Sequence, residues 1–351
     1  MWFTPIPRGY SGGDVQESGD GHLPDACADT VGVEEEFLLV DAASQRTVMR
    51  ADAVLARVRD TELTKFHAEL AGTQVEAATG PCTGVAALGE ALSAARSMLT
   101  EAARAEGLEL ISRGTPVKAA TRSVVADGAR FHRVLDTYAG VVEDYEACGC
   151  HVHVGVPDRE TAVAVLKHVR PWLPTLLALS ANSPGHGYAS WRMVLQSRFP
   201  GSGVPPLFRD ARDYDDHVAR MVTCGTLVDA AQSFWLVRLA SRLPTVEFRA
   251  ADTAAEVDGA VLQAALSRAL VHAAHEDVHK GVEPPAVRDD VLAAAVWTAS
   301  RYGIDGAGVD PWRECRVPAT ELLDDMVEHV TPALEDRGEL ALVRELVAAR
   351  V

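Results

Sequence analysis

The stretch CGCHVHVGVPD, residues 148–158, places two cysteines and two histidines within six positions. If residues 147–156 form a β-strand, side chains alternate between its faces, so Cys148 and Cys150 lie on one face and His151 and His153 on the other. A zinc site needs four ligands that converge on one ion, which opposed faces cannot supply. We therefore expect an apolar, core-facing cysteine face. The histidine face, flanked by glycines, is either the wall of a site or a solvated surface.

Acidic residues occur at strand-like spacing in three other segments. In GVEEEF, residues 32–37, Glu34 and Glu36 share one face, although three consecutive glutamates are also typical of a solvated sheet edge. Glu76 lies in TQVEAATG, and Glu247 alternates with Arg249 in TVEFRAAD. Each of these last two acids could equally form a cross-strand ion pair.

A cluster of oxygen ligands suits the hard cations Mg²⁺ and Mn²⁺. On one concave sheet face such a cluster would contain four acids, with His151 as an additional nitrogen ligand: Glu34, Glu36, Glu76 and Glu247. Arg249 would neutralise phosphate oxygens nearby. Phosphoryl transfer from ATP requires this combination of groups. The sequence contains neither a P-loop motif nor a Rossmann fingerprint.

The composition is that of an ordinary globular protein: of 351 residues, 48% are hydrophobic and 24% are charged. The formal net charge of −17 repels phosphate backbones and anionic lipids, so we expect small-molecule substrates and neither nucleic-acid nor membrane partners. Six cysteines without framework spacing favour free thiols in a reducing compartment. There is no bilayer-length apolar segment and no signal-peptide pattern, so we expect a cytoplasmic protein.

Periodicity predicts strands interleaved with helices. Residues 1–30 are rich in glycine and proline, which predicts a flexible tail. We expect strands at 30–41, 44–50 (the hairpin partner of the first), 73–80, 108–114 and 243–252. We expect helices at 83–107 with Thr83 as N-cap, at 129–146, after an Asp158 N-cap, and at 255–280, 285–302 and 320–350. No long linker divides 31–351, so one α+β domain is the simpler interpretation, although two half-domains are possible.

Seven segments together resemble the carboxylate-amine ligases of the glutamate–cysteine ligase 2 family, over about residues 31–305. They are, in order, TVGVEEEFLLVD, VEAATGP, CGCHVHVGVPDRE, LLALSANSPGHGYASWR, SRFPGSGVPP, PTVEFRAAD and SRYGIDG. The resemblance implies a glutamine-synthetase-like fold, with a curved, mainly antiparallel sheet, helices packed on its convex side, and ATP and Mg²⁺ on its concave side. It also implies an ATP-dependent ligase, in which an amine attacks an acyl phosphate; the namesake enzymes make γ-glutamylcysteine. A homodimer is possible, because dimers are common among relatives.

The resemblance also carries residue roles to the matching positions. It implies magnesium ligands at Glu34, Glu36, Glu76 and Glu247, joined by His151. Arg249, His151 and Glu69 correspond to catalytic positions, with Arg249 in contact with phosphate. The residues implied to bind substrate or ATP are His153, Asn182, Tyr188, Arg192, Arg198 and Arg249.

The chain departs from the family pattern in three places. Gly114-Thr115-Pro116 lacks the histidine of Gly-Thr-His-Pro, Leu236 replaces the aspartate of Trp-Asp-Val-Arg, and residues 293–296 read Ala-Ala-Ala-Val instead of Arg-Glu-Asn-Lys. Because the metal-binding acids persist while these polar groups do not, we expect an altered, less polar carboxylate or amine substrate. A catalytically silent binding or regulatory protein on the same scaffold is the alternative.

A rival motif, HEDVH at 275–279, matches the His-Glu-x-x-His pattern of zinc proteases. It lies at the end of a predicted helix closed by Lys280-Gly281, with Asp277 inside the motif and no clear third ligand downstream. We therefore expect a chance match on an exposed helix end, and not a metal-dependent hydrolase.

Overall fold

The computed structural model describes residues 30–120 and 128–351. The predicted tail, residues 1–30, lies outside the described residues except for Thr30, and so does Cys27. The other five cysteines are free thiols. Within 30–120 and 128–351, no helix is long and apolar enough to cross a membrane.

Seven strands form one sheet in which every pairing is antiparallel. They are β1 Val31–Asp41, β2 Thr64–Ala68, β3 Gln74–Thr79, β4 Leu108–Ile111, β5 Gly149–Gly155, β6 Val237–Leu239 and β7 Thr245–Asp252. The order is β2-β3-β1-β5-β7-β6. β4 pairs with the second half of β1, on the same side of β1 on which β5 pairs with the first half. The long strand β1 is therefore central, with neighbours along both of its sides.

One face of this sheet packs against helices. The α-helices of the described residues are α1 Ala51–Leu55, α2 Val85–Ala105, α3 Ala129–Tyr138, α4 Arg159–Val169, α5 Leu173–Ser180, α6 Trp191–Gln196, α7 Ala211–Thr223, α8 Val257–His279, α9 Asp289–Tyr302, α10 Ala319–Asp336 and α11 Leu340–Arg350. The core between α2, α4, α5, α8 and the sheet uses alternate strand residues, such as Val31 and Val33 of β1 and Val152 and Val154 of β5. The strand residues that alternate with these valines point to the opposite face of the sheet, which we call the uncovered face. A hairpin of β8 Ala307–Asp310 and β9 Cys315–Pro318 forms a separate sheet.

The three consecutive glutamates of β1 divide between the two faces. Glu35 lies on the helix-covered face, 1% exposed, and accepts hydrogen bonds from Arg96 of α2 at 2.6 and 2.9 Å. Arg96 also donates to the carbonyls of Ala254 and Ala255 at 2.9 and 3.1 Å. A buried carboxylate is tolerated here because it is paired and hydrogen-bonded. The alternative that this segment marks a solvated sheet edge is therefore wrong.

Several local predictions need correction. The segment 44–50 pairs with the end of β1 across a short turn, as expected, but it is not a continuous strand: it makes one bridge, between Val40 and Thr47, flanked by two backbone hydrogen bonds of 2.9 Å. α2 follows Gly84 and has no side-chain cap, so Thr83 is not its N-cap. The N-cap at Asp158 is confirmed, since its carboxylate accepts the backbone N–H of Thr161 at 2.8 Å. The sequence did not predict α1, β2, α6, α7, β6, β8 and β9, and α3 is shorter than expected. The division into a tail and one domain over 31–351 stays a prediction.

Cys148 lies on the side of the sheet opposite to the one predicted for it. β5 begins at Gly149, so regular alternation does not extend to this cysteine. Its Sγ accepts a hydrogen bond from Nε2 of Gln74 at 3.0 Å, and it packs against Leu38, on the uncovered side of β1. The prediction of a core-facing cysteine pair is therefore wrong for Cys148, whereas Cys150 lies in the core between sheet and helices.

A β-bulge in β7 decides which of its last residues face the helices. Between two of their pairs, Cys150 with Ala251 and Val152 with Phe248, β7 holds one residue more than β5. The extra residue reverses the alternation beyond it. Asp252 consequently lies opposite Gly149, on the uncovered face that also carries Arg249.

Candidate active site

The strand register places the predicted acids and histidines next to one another. Glu34 lies opposite His151, Glu36 lies opposite Glu76, and Glu247 lies opposite His153 and Arg238. Directly opposed residues on one face have Cβ atoms about 4.5–5.5 Å apart, so neighbouring strands deliver these side chains to one patch. Two groups of three ligand-type side chains result, each with ligand atoms within 4.8 Å of one another.

The first group consists of Glu34, His151 and Glu247. Oε2 of Glu34 lies 3.5 Å from Nδ1 of His151, and Oε1 lies 3.3 Å from Nε2 of His153. Burial alone would raise the pKa of Glu34, but the two histidines hold it well below its usual range. Burial and the charge of Arg249 lower the pKa of His151 to about 3. The imidazole is therefore neutral, which is the form that binds a metal.

The second group consists of Glu36, Glu69 and Glu76. Oε2 of Glu36 accepts the backbone N–H of Gly149 at 2.6 Å, and the carboxyl of Glu76 hydrogen-bonds to that of Glu69. Burial and the charge of Glu69 raise the pKa of Glu36 to about 8. Burial and the surrounding carboxylates raise the pKa of Glu76 well above its usual range. The three acids therefore need a proton or a metal cation between them at neutral pH.

Glu247 forms ion pairs with two arginines. Arg238, its cross-strand neighbour on β6, donates from Nε at 2.6 Å and from Nη2 at 3.0 Å to the two carboxylate oxygens. Arg249 contacts the same carboxylate through Nη1. Burial alone would raise the pKa of Glu247, but the charges of Arg238 and Arg249 lower it. The cross-strand ion pair that the sequence left open is thus present, beside Glu34 and His151.

Arg192 of α6 reaches the same place from outside the sheet. Its side chain is 3% exposed, and its Nη2 lies 3.4 Å from Nε2 of His151 and 3.4 Å from the carbonyl oxygen of Arg249. Gly149 leaves room for it, because a Cβ at this position would lie 2.3 Å from Nη2 of Arg192. Three guanidinium groups therefore border the carboxylates, including that of Arg238.

A cavity of about 260 Å³ lies over these groups. Its sheet side is lined by charged residues and one histidine: Glu34, Glu36, Glu69, Glu76, His151, Arg192, Arg238 and Arg249. An apolar wall is formed by Phe131, Val134, Tyr145, Phe199 and Phe234, and the polar residues Arg130, Gln232 and Ser233 also line the cavity. The rings of Phe199 and Phe234 stack with centroids 4.3 Å apart. The cavity therefore combines charged groups suited to cations and phosphate with apolar side chains suited to an apolar group.

Four residues predicted to bind substrate or ATP lie outside the lining of this cavity, namely His153, Asn182, Tyr188 and Arg198. The Asn182 amide donates to the carbonyls of Ser112 and Thr253 at 3.1 and 2.9 Å, and Arg198 donates to Asp144 at 2.9 Å. The Arg301 guanidinium lies 5.6 Å from the ring of Tyr188. The predicted ligand-binding roles of these four residues stay predictions. Arg192 and Arg249 do line the cavity.

A family model described as glutamate-cysteine ligase family 2 matches residues 30–350. The chain belongs to this family. A relative from Saccharopolyspora erythraea, with the provisional name glutamate–cysteine ligase 2-2, is 53% identical over 328 residues, which cover 91% of this chain and 84% of the relative. A relative from Salinispora arenicola, with the provisional name glutamate–cysteine ligase 2, is 42% identical over 331 residues, which cover 93% of this chain and 87% of the relative. Membership confirms the predicted enzyme class, an ATP-dependent ligase that forms carbon–nitrogen bonds.

Solved structures of ligases share the fold. The glutamate–cysteine ligase of Francisella tularensis, solved in complex with AMP, has a TM-score of 0.64 at 11% identity and covers 92% of this chain and 82% of its own. A bifunctional glutathione synthetase from Pasteurella multocida has a TM-score of 0.61 at 13% identity, and the match covers 92% of this chain and 47% of the synthetase. This likeness confirms the predicted glutamine-synthetase-like α+β fold, with its mainly antiparallel sheet and helix layer.

The positions that depart from the family pattern lie outside the cavity lining. Leu236 is fully buried in the core between sheet and helices, and Thr115 is also buried. Ala293 and Ala294 are exposed on α9. None of residues 114–116, 236 and 293–296 is among the residues that line the cavity. The altered substrate that these departures suggested stays a prediction.

Six polar residues line the cavity without a role in the sequence predictions: Gln74, Arg130, Tyr145, Gln232, Ser233 and Arg238. Arg238 lies one short turn before the strand of Glu247, so hairpin register is a signal that could have identified it. Arg130 lies on α3 and forms an ion pair with Asp229 at 2.8 Å. A contact of this kind between distant segments leaves no periodic signal in a sequence.

The rival HEDVH motif lies at the end of α8, as predicted. The rings of His275 and His279 have centroids 4.2 Å apart, and Nδ1 of His279 lies 3.0 Å from the carbonyl oxygen of His275. In the described parts of the chain, no group of three metal-binding side chains includes either histidine. Residues 30–120 and 128–351 thus place no third zinc ligand beside the two histidines, whereas a zinc hydrolase requires one.

Proposed function

We propose that this family member is an ATP- and Mg²⁺-dependent ligase that joins a carboxylate to an amine. The observation that carries the proposal is the convergence of two carboxylate-rich groups on and beside one cavity that is also lined by Arg192, Arg238 and Arg249. In the proposed reaction, the γ-phosphoryl group of ATP passes to an oxygen of the carboxylate substrate, which gives ADP and an acyl phosphate. The amine nitrogen then attacks the acyl carbon, and phosphate leaves as the amide forms.

The donor sets of the two groups fit divalent cations. The second group offers carboxylate oxygens alone, which suits Mg²⁺ or Mn²⁺. The first group offers two carboxylates and a neutral imidazole nitrogen. A bound cation would balance the crowded carboxylate charge that raises the pKa of Glu36 and Glu76. When bound, Mg²⁺ would neutralise the phosphate oxygens of ATP.

We assign Arg249 and Arg192 to contacts with phosphate oxygens. Each has an Nη atom 3.4 Å from a ring nitrogen of His151, so the two guanidinium groups lie on either side of one imidazole. A guanidinium stays charged and presents several N–H groups in a fixed fork, which suits phosphate. Aimed at the transferred group, the pair would stabilise the charge that develops there. The apolar wall, including Phe199 and Phe234, would keep water from an acyl phosphate.

The names of the relatives make glutamate and cysteine the first substrates to test. The altered, less polar substrate predicted from the sequence is a second proposal. The apolar wall of the cavity supports it, whereas the departures from the family pattern do not, because they lie outside the lining. A cytoplasmic location and a homodimer stay predictions.

The test is ADP release in a coupled assay with ATP, Mg²⁺, glutamate and cysteine, followed by a panel of less polar carboxylates and amines. Turnover should require the amine, stop when EDTA is added and return with excess Mg²⁺. Glu34→Gln and Arg249→Ala should each lower kcat at least about 100-fold. Glu101→Gln removes an exposed carboxylate from α2 and is the matched control, with wild-type kcat expected.

Calorimetric titration with a non-hydrolysable ATP analogue, combined with the ADP-release assay, distinguishes the rival functions. A catalytically silent protein would bind the analogue but release no ADP with any amine on the panel, and that result would overturn the proposal. A hydrolase that used HEDVH would lose its activity and bound zinc on His275→Ala and His279→Ala. The ligase should tolerate both changes.

A further inference from the structure

Asp252 is a buried carboxylate to which the proposed reaction gives no role. It is the last residue of β7, and its side chain has no exposed surface. The bulge in β7 turns it to the sheet face that carries Arg249. A carboxylate in this position needs hydrogen-bond donors, and one segment of the chain supplies them.

Asp252 binds both ends of the connection between α5 and α6, which we call the 182–190 loop. Oδ2 of Asp252 accepts the backbone N–H of Asn182 at 2.9 Å and the hydroxyl of Ser183 at 2.6 Å. Oδ1 accepts the hydroxyl of Ser190 at 2.8 Å. A single side chain therefore closes the loop on the end of the strand that bears Glu247 and Arg249.

The two serines that bind Asp252 also hydrogen-bond to the first turn of α6, which includes the backbone of Arg192. Oγ of Ser183 accepts the N–H of Arg192 at 3.0 Å, and the carbonyl of Ser183 accepts the N–H of Trp191 at 2.9 Å. Oγ of Ser190 caps α6 by accepting the N–H of Met193 at 3.2 Å. The first turn of α6 is thus connected to Asp252 through two hydroxyl groups.

Asp252 does not hold the Arg192 guanidinium directly. The shortest distance between their charged atoms is 3.9 Å, from Nη1 to Oδ1, whereas Nη2 lies 3.4 Å from His151. Gly114 permits the close packing around the carboxylate, since a Cβ there would lie 2.8 Å from the carboxyl carbon of Asp252. The contact therefore acts on the backbone that carries Arg192, and the guanidinium remains available to the cavity.

We propose that Asp252 is a positioning residue, which fixes the 182–190 loop and thereby holds Arg192 at the cavity. That Arg192 then meets phosphate rests on the proposed function. The positioning itself rests on the hydrogen bonds. A displacement of about 1 Å at a reacting centre can lower a rate about 100-fold, so a loop anchor of this kind should matter to turnover.

The test is Asp252→Asn, which keeps the size of the side chain and replaces one acceptor oxygen by an amide donor. We expect faster amide hydrogen exchange in peptides covering 182–193, a crystal structure with the Arg192 guanidinium moved away from His151, and kcat about 10- to 100-fold lower with a smaller change in KM. The matched control is Asp310→Asn, because Asp310 is also buried and accepts the N–H groups of Trp312 and Arg313. It should leave exchange at 182–193 and kcat unchanged.

A double-mutant cycle separates positioning from general stability. If Asp252 acts through Arg192, Asp252→Asn should lower kcat by less than about twofold in an Arg192→Ala background. If the fold-reductions in kcat of the two single variants instead multiply in the double variant, the proposal is overturned. If Asp252→Asn does not fold, Ser190→Ala takes its place, because it removes one of the three hydrogen bonds to Asp252. Exchange at 182–193, the position of Arg192 and kcat should then change in the same directions but by smaller amounts. If the wild type turns over no ATP, the proposed function fails, but unchanged exchange and an unmoved Arg192 in the variant crystal would still overturn the positioning role.

Discussion

Replacing Arg238 by methionine tests how far the first metal-ligand group depends on a residue that the sequence predictions missed. Arg238 donates to Glu247 at 2.6 and 3.0 Å and to the carbonyls of Ala231 and Ser233 at 2.7 and 2.9 Å. Its side chain is 15% exposed and that of Glu247 is 3% exposed, so the pair is largely buried. Removing one partner of a buried pair costs about 3–5 kcal/mol, because the other charge stays buried. Arg249 still contacts Glu247, so we expect the lower value, about 3 kcal/mol.

The free energy of unfolding in urea measures this loss directly. The Mg²⁺ concentration for half-maximal ADP release should also rise about 10- to 100-fold, because a side chain that orients a metal ligand has been removed. Arg242→Met, an exposed arginine just beyond β6, should change neither quantity. A loss below about 1 kcal/mol, the value of an exposed ion pair, together with wild-type Mg²⁺ dependence, would refute the reasoning.

Three further substitutions test separate parts of the structure. Arg96→Met should destabilise the protein by about 3 kcal/mol in urea, because Glu35 is left buried without its partner, and adding Glu35→Gln should recover part of the loss; no recovery would contradict the ion-pair explanation. Asp158→Ala should cost about 1 kcal/mol in the same assay by removing the N-cap of α4, with kcat unchanged. Gly149→Ala places a Cβ 2.3 Å from Nη2 of Arg192, so kcat should fall at least about 10-fold; a wild-type kcat would show that this guanidinium can move without consequence.

Strand periodicity predicted the faces of the sheet wherever the strands are regular. Glu34 and Glu36 share the uncovered face of β1, and Glu247 shares that face with Arg249 in β7, because side chains alternate strictly within each segment. The rule fails where regular pairing stops. Cys148 lies just before β5 begins, and Asp252 lies beyond a bulge, so their faces depend on hydrogen bonding that a sequence pattern does not record.

Other parts of the candidate site depend on contacts between segments that are distant in sequence. Glu69 lies on the connection after β2, where no period applies, and only the resemblance to the family indicated it. Arg192 reaches the cavity because Asp252 and two serines hold its backbone. The strand β2 itself, TKFHA, is short and half polar, so its composition is weak evidence for a strand. For such features the family resemblance was informative and the local sequence was not.

The run Glu34-Glu35-Glu36 restricts how the first strand can vary over evolutionary time. Its middle carboxylate belongs to an ion pair with Arg96 beneath the sheet, and its outer two belong to the cavity. Inserting or deleting a single residue upstream within β1 would exchange these positions. One acid would remain at the cavity, and two would be buried in the core, where Arg96 now pairs with Glu35 alone. We therefore expect β1 to accept changes of residue but not of length, with insertions and deletions confined to the connections that flank it.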